Sequence, residues 1–213
     1  LSEFYLKQPD RDFLVKLRKQ FENICLPERQ QGLALLLGSL TDAKSNEALS
    51  NKDQAQQLAI EYTRLFHGLQ EGYGPPPPYE SLYRYGLPGE ISVAVQQFYL
   101  QSGYDLTAEC TGPQDHLGVE LKFMALLCHD EAEACERQDW QVVKNLRQRQ
   151  SAFLNQHIAS WSGDYCHRLS EAAHEKFYQA VASITIEALE KDRQMLKEMM
   201  LQSRTLKILG TER

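Results

Sequence analysis

Cysteine is scarce in this chain, and the sequence has neither a long apolar run nor a surplus of positive charge. The five cysteines are an odd number without a Cys-x-x-Cys pair, which is not the pattern of a secreted disulfide scaffold. No uninterrupted apolar run approaches the roughly 20 residues that a membrane span needs, and the run at 33–37 is far shorter. We therefore expect buried free thiols and a cytoplasmic location.

The charge balance argues against one large class of partners. There are 23 basic and 29 acidic residues, which gives a net charge of -6 at pH 7. Proteins that bind nucleic acid without sequence preference carry a basic surplus, because they neutralise phosphates. We therefore expect no nucleic-acid partner, and the acidic balance favours a cationic one.

Signatures of catalysis are also missing. The chain contains no Gly-x-Ser-x-Gly, Walker A, Gly-x-Gly-x-x-Gly or His-Glu-x-x-His motif. His116 and Glu120 are four residues apart, so on a helix they would share a face and could begin a metal site. A carboxylate-bridged helix bundle needs further such pairs, and the sequence offers no second candidate. We expect no enzyme and no cofactor, with a helical metal-binding enzyme using His116 and Glu120 as the alternative.

Apolar side chains recur every three or four residues along most of the chain, and no segment alternates like a strand. This periodicity predicts an all-α fold with about eight to ten helices. Asn51 is the expected N-cap of one of them, and Gly68 is its expected end. The predicted helices cover residues 1–7, 10–21, 31–40, 51–67, 89–101, 113–137, 140–158 and 177–189, followed by a charged helical tail over 190–213.

One break in composition divides the sequence into halves of similar length. Residues 103–112 include two glycines and interrupt the helical pattern. We expect an N-terminal helical subdomain over 1–102 and a C-terminal helical subdomain over 113–213, joined by a hinge at 103–112. A hinge between two similar halves permits domain swapping, so the expected state is a monomer or a weak, domain-swapped dimer.

Two short stretches stand out from this helical background. The first is Pro75–Pro78, where consecutive prolines predict polyproline II structure. The second opens the long helix predicted from residue 113. There, Thr111 and Gln114 have the spacing of a capping box, which would place Asp115 and His116 in the first turns. The positive end of the helix would favour an ionised Asp115 and a neutral His116.

The proline stretch permits a different interpretation. Pro76-Pro77-Pro78-Tyr79 fits the PPxY ligand of WW domains, which bind proline-rich segments in aromatic grooves. Such a ligand must be exposed, whereas this one lies within a domain and is followed directly by further aromatic residues. A packed structural loop is the favoured interpretation.

Taken in order, three pieces of the sequence resemble one family. They are Leu65-Phe66, then Pro78-Tyr79-Glu80-Ser81-Leu82-Tyr83, then Pro113-Gln114-Asp115-His116. This order and spacing is similar to that of the TorD/DmsD family of cytoplasmic redox-enzyme maturation chaperones. The resemblance covers nearly the whole chain. It has one departure, because Gly112 stands where the family has a glutamate before the proline.

The resemblance implies a function and a set of site residues. It implies a chaperone that binds the twin-arginine leader and the apo form of a molybdoenzyme precursor until the molybdenum cofactor is inserted, before export. Such a leader has a basic head and an apolar stretch, so carboxylates beside an aromatic groove suit it, and a guanidinium pairs well with both. The leader-binding residues that the resemblance implies are Leu65, Phe66, Tyr79, Ser81, Tyr83, Asp115 and His116.

Overall fold

Ten α-helices make up the computed structural model, which describes residues 1–21, 31–41, 47–68, 74–86, 89–104 and 112–208. The prediction of an all-α fold with about eight to ten helices is confirmed. The helices are α1 Ser2–Leu6, α2 Arg11–Phe21, α3 Gln31–Thr41, α4 Glu47–Phe66, α5 Glu80–Tyr83, α6 Glu90–Gln101, α7 Leu117–Glu136, α8 Trp140–Gln156, α9 Ser162–Ala172 and α10 Lys176–Ile208, with a short 3₁₀ helix Ile158–Ser160 between α8 and α9.

Helix α7 lies at the centre of the core. Its side chains are buried on several sides, since α8 packs on one face and α1 on another. Gly118 allows the close approach of α1, because a Cβ at this position would come within 2.6 Å of the Leu6 side chain. The hydroxyl groups of Tyr5 on α1 and Thr185 on α10 are also hydrogen-bonded, at 2.7 Å. The N-terminal helix is therefore integrated into the core.

Helices α3 and α10 form the other extensive contact. The backbones approach closely at Gly32, where an added Cβ would lie 2.7 Å from the backbone nitrogen of Ile184. The amide of Gly32 donates to the Glu187 carboxylate at 2.9 Å, which places an acid at the positive start of α3. One turn of α3 is thus fixed to α10 by both steric fit and charge.

Several predicted helix boundaries were wrong. Helix α4 begins at Glu47, four residues before the expected cap Asn51, and it ends at Phe66 beside Gly68, whose φ is +57°. Helix α8 ends at Gln156 and not at residue 158. The last helix is continuous from Lys176 to Ile208, without the expected division after residue 189. Leu196 is buried, and this packing beyond residue 189 carries the helix onward.

Two helices were not predicted at all. Helix α5 has only four residues and too little sequence to show a period. Helix α9 buries Tyr165, Cys166 and Leu169 at helical spacing, but its polar first turn obscures that pattern. Both helices lie close to the proline-rich stretch, so they matter for the site.

Most of the predicted hinge lies outside the described residues, namely 105–111, which include Thr111. Helices from both sides of it pack together, since α1 lies on α7, α3 on α10 and α5 on α9. The division into subdomains 1–102 and 113–213 stays a prediction. No helix among the described residues is long and apolar enough to cross a membrane.

The cysteines differ in exposure. Cys166 is buried, Cys135 is half-buried and Cys128 is exposed, each with a free thiol. The expectation of a buried thiol is therefore right for Cys166 and wrong for Cys128. Cys25 and Cys110 lie outside the described residues.

Candidate functional site

The two stretches singled out in the sequence lie side by side. We call residues 74–86 the strap and residues 112–116 the Asp-His loop. Tyr79 and His116 form a single antiparallel bridge between them. The amide of Leu117 donates to the Pro78 carbonyl at 2.8 Å, and the amide of Glu80 donates to the Asp115 carbonyl at 2.8 Å. Backbone pairing thus fixes the register of the strap on the loop.

Asp115 fastens this junction from within. Its side chain is fully buried, and its Oδ2 accepts from the Ser81 amide at 2.9 Å. That amide lies in the first turn of α5, so the carboxylate caps a helix from a distant part of the chain. The other oxygen accepts from the hydroxyl of Ser92 on α6. Asp115 therefore joins the loop to α5 and α6 and does not face solvent.

His116 caps α7. The prediction that Asp115 and His116 lie in the first turns of this helix was wrong, because α7 begins at Leu117 and His116 has an extended backbone. Its Nδ1 accepts from the Gly118 amide at 3.1 Å. Burial is the main cause that lowers the pKa of His116 to about 4. The negative charge of the nearby Asp115 acts in the opposite direction, and His67 adds a smaller lowering effect. The ring is therefore neutral at pH 7, as its role as an acceptor requires.

The strap presents aromatic side chains. The Tyr79 ring meets the edge of His116 with centroids 5.0 Å apart. Tyr83 lies against Trp161 at 5.4 Å, and its hydroxyl donates to the Pro76 carbonyl at 2.6 Å. Burial raises the pKa of the Tyr83 hydroxyl, so it stays a donor across the physiological range. Tyr79, Ser81 and Tyr83 are all half-buried, which leaves part of each side chain open to a ligand.

Leu65 and Phe66 lie deeper. Both are buried, and Phe66 stacks on Tyr62 with ring centroids 4.6 Å apart. They form the core beneath the end of α4 and offer almost no surface. Of the seven residues implied by the resemblance, four are therefore half-buried, and Leu65, Phe66 and Asp115 lie beneath the surface.

A buried polar cluster between the strap and the helices beneath it was not predicted as part of the site. Glu80 and Glu120 have no exposed surface. Glu80 accepts from the Arg84 guanidinium and lies 3.0 Å from His157 Nδ1, while Glu120 accepts from Trp161 Nε1 at 3.2 Å. Burial, and next the neighbouring Glu80, raises the pKa of Glu120 well above its usual range. In the sequence, Glu80 stands between Tyr79 and Ser81 and Glu120 was considered only as a partner of His116, so nothing there linked the two carboxyl groups.

His116 and Glu120, the pair considered as a possible metal site, have different partners in the structure. The Nδ1 atom of His116 faces the start of α7, whereas Glu120 is directed to Trp161 and Glu80. Over the described ranges, no group of three or more His, Cys, Asp or Glu side chains has the placement of a metal site. The pair thus serves different contacts.

The PPxY interpretation also differs from the observed packing. Pro75 and Pro78 are buried, and the Pro78 carbonyl accepts from the α7 start. Gly74 lies so close to α4 that a Cβ there would be 2.4 Å from the Arg64 carbonyl oxygen. The segment is a packed structural element, as expected, and does not present a free extended ligand.

Exposed apolar groups lie on the strap and on the helix that packs against α5. Leu82 and Tyr85 lie on the strap itself, and Tyr85 is fully exposed. On α6, which packs against α5, Val93 and Leu100 are exposed seven residues apart, on one helical face. On the strap itself, Leu82, Tyr85 and the half-buried aromatic rings provide apolar surface of the kind that interaction sites carry.

Comparison with known proteins identifies the family. A family model described as the nitrate reductase delta subunit matches residues 26–167, which is more than half of the chain. The chain belongs to this family.

Curated relatives of this family member carry chaperone names. Chaperone protein TorD of Shewanella pealeana is 29% identical over 217 residues, which cover 92% of this chain and 86% of that protein. The probable Tat proofreading chaperone DmsD of Haemophilus influenzae is 26% identical over 151 residues, covering 70% and 66%. The resemblance to the TorD/DmsD chaperones is confirmed. The protein is accordingly a chaperone and not an enzyme.

A solved structure supports the fold of this family member. A protein from Archaeoglobus fulgidus, described as a redox enzyme maturation protein, superposes with a TM-score of 0.50. The match covers 87% of this chain and 89% of that one at 20% identity. At this identity the similarity shows the all-α fold alone.

Proposed function

We propose that the protein binds the twin-arginine leader and the apo form of a molybdoenzyme precursor, and holds them until the molybdenum cofactor is inserted before export. The chaperone names of its relatives and the Tat pathway named for one of them support this proposal. The observation that carries it is the junction of the strap with the Asp-His loop, which presents Tyr79 and His116 together at a partly open surface. The location is proposed to be the cytoplasm, and the working state a monomer or weak dimer.

The proposed contact residues are the half-buried ones. Tyr79, Ser81, Tyr83 and His116 would touch the leader, with the exposed Leu82 and Tyr85 extending the apolar surface along the strap. Leu65, Phe66 and Asp115 would act from beneath, by holding the strap and α4 in place. Flat aromatic faces suit both guanidinium groups and the apolar part of a leader.

Gly112 offers a way to test the charged part of the contact. A Cβ at this exposed position would lie 3.5 Å from the Tyr79 hydroxyl, which is an ordinary contact distance. Gly112→Glu would therefore add a carboxylate beside the proposed contact surface without a clash. A charge-assisted bond to an arginine strengthens a complex by about 1.5–3 kcal/mol, so we expect about tenfold tighter leader binding.

Gln141→Glu is the control. It adds the same charge at an exposed position in the first turn of α8, at the opposite end of that helix from His157. Calorimetric titration of both variants with a synthetic twin-arginine leader should show a gain for Gly112→Glu alone. Equal affinities for the two variants would contradict the placement of the arginine contact at the Asp-His loop.

Affinity capture tests the proposed client. The protein is immobilised, exposed to cell extract, and the bound proteins are identified by mass spectrometry. We expect a molybdoenzyme precursor that retains its twin-arginine leader, and about tenfold less of it with Tyr79→Ala. Trp140→Ala removes an exposed aromatic at the opposite end of α8 from His157, roughly 25 Å away along the helix, and should capture normally. Capture without any leader-bearing precursor would reject the proposal.

A further inference from the structure

The buried carboxyl groups of Glu80, on the strap, and Glu120, on α7, have an unusual set of partners. Glu80 is the first residue of α5 and Glu120 lies in the first turn of α7, and neither has exposed surface. Acidic side chains are almost never fully buried unless they are paired. What pairs with each of them therefore decides how the strap is held.

The positive and donor groups are divided unevenly between the pair. Arg84 and His157 both face Glu80. Glu120 Oε2 accepts from Trp161 Nε1 at 3.2 Å, whereas Oε1 is buried and receives no donor from the described residues. The acidic groups that face Glu120 are Glu80 and, at longer range, Asp115.

A proton on one of the two carboxyl groups accounts for this arrangement. The Glu120 side chain is within hydrogen-bonding reach of Glu80, and two carboxyl groups can bond only if one of them carries a proton. The buried Oε1 of Glu120, which receives no donor from the described residues, offers a place for that proton. Glu80 already receives Arg84 and His157, so Glu120 is the protonated partner. The raised pKa of Glu120, caused first by burial and then by Glu80, agrees with this assignment.

The strap depends on such anchors. Helix α5 has four residues and is too short to be stable by itself. Besides the Glu80–Glu120 pair, the strap is held by the backbone bonds to the Asp-His loop and by Arg84, which donates to the Gln156 carbonyl at 3.0 Å. Removing the proton would place two carboxylates in contact away from water, where repulsion is strong.

We propose that the Glu80–Glu120 pair is a proton-held clasp. It fastens the strap to the helical body while the proton is present, and the strap opens when the proton is lost. The sign of the pH dependence follows. Glu120 is protonated in the closed strap and ionises at an ordinary acidic pKa once exposed, so opening releases one proton. Opening therefore becomes about tenfold more frequent for each pH unit above neutrality, until the closed form itself ionises. This clasp does not depend on the proposed function.

Hydrogen exchange between pH 7 and 9 tests the clasp. The amides of Glu80, Ser81 and Leu117 are bonded across the junction and report its opening. After correction for intrinsic rates, we expect their protection to fall about tenfold per pH unit in the wild-type protein. Glu120→Gln keeps the shape but cannot ionise, so its protection should not change with pH. Glu133→Gln, at an exposed position on the same helix, should behave like the wild type.

Infrared spectroscopy of the wild-type protein at pH 8 provides the second measurement, which needs no variant. We expect a carbonyl band of one protonated carboxyl, and its loss in Glu120→Gln. The proposal is overturned if that band is missing from the wild type, or if the wild type and Glu120→Gln have the same pH slope. It is also overturned if the junction amides exchange no faster than amides in the middle of α7, because opening would then be global unfolding.

Discussion

Asp115 illustrates how a residue expected at a binding surface can act from below it. Its carboxylate accepts from the Ser81 amide and the Ser92 hydroxyl, so it holds α5 and α6 against the Asp-His loop. A fully buried side chain cannot touch a leader in this conformation. Its effect on binding would therefore pass through the position of the strap.

Asp115→Ala should be strongly destabilising for this reason. The change leaves the Ser81 amide and the Ser92 hydroxyl without their partner, which costs about 2–4 kcal/mol of the free energy of unfolding. The control is Asp164→Ala, because Asp164 is exposed and, among the described residues, pairs with Arg168 at the surface. That pair is worth less than about 1 kcal/mol. Urea unfolding compares the two, and an Asp115 variant as stable as the Asp164 variant would contradict the anchoring role.

His116 makes the stability of the protein sensitive to acid. Burial holds its pKa at about 4, below the value of 6.5 of an unfolded histidine. The stabilisation is complete above pH 6.5 and is lost as the pH falls toward 4, because protonation removes the acceptor for Gly118. The loss amounts to about 3 kcal/mol over this range.

His116→Asn should flatten this part of the stability profile. Asparagine is a good N-cap and keeps an acceptor for the Gly118 amide, but it does not titrate. Thermal melts from pH 7 to pH 4 should show a smaller fall for the variant than for the wild type, which loses the acceptor. Parallel falls in the two proteins would show that other groups dominate acid unfolding.

At the scale of helices, local pattern and distant contact contribute differently. The apolar spacing of α2, α6 and α10 is contained within each segment, so their existence could be predicted. The start of α7 could not, because Asp115 and His116 are held extended by pairing with the strap, which is distant in sequence. Helix α5 likewise depends on its contacts with Asp115, which is distant in sequence.

The contact of α3 with α10 supplies a matched pair of variants. Gly32→Ala would push a methyl group to within 2.7 Å of the Ile184 backbone nitrogen. Such overpacking typically costs about 1–3 kcal/mol. Gly38 lies in the same helix with nothing within 4 Å of an added Cβ, so Gly38→Ala should stabilise by about 0.5–1 kcal/mol. Unfolding measurements with the same sign for both variants would contradict the close approach of the two helices.

At the scale of the molecule, the order of motifs indicated the family. It also singled out two segments that lie side by side in the structure. The motifs did not indicate which of their residues are buried and which are exposed. Phe66 and Asp115 belong to the same set of motifs as Tyr79 and His116, yet Phe66 and Asp115 are buried whereas Tyr79 and His116 are partly open. The Glu80–Glu120 pair was hidden for the same reason, since the approach of α5 to α7 is a property of the fold and not of either segment.

The acidic balance of the chain also bears on the partner. A net charge of -6 attracts a basic leader over a range of about 8 Å at physiological salt. Only part of the affinity is sensitive to salt on this account, because the apolar stretch of the leader must also bury surface along the strap.

The most direct measurement is a calorimetric titration of the wild-type protein with a synthetic twin-arginine leader, at low and at high salt. The control peptide has both arginines replaced by lysine, which keeps the charge but loses the planar fork of donors. We predict binding that weakens with salt without vanishing, and at least tenfold weaker binding of the lysine peptide. Absent binding, or equal affinity for both peptides at every salt concentration, would contradict the account.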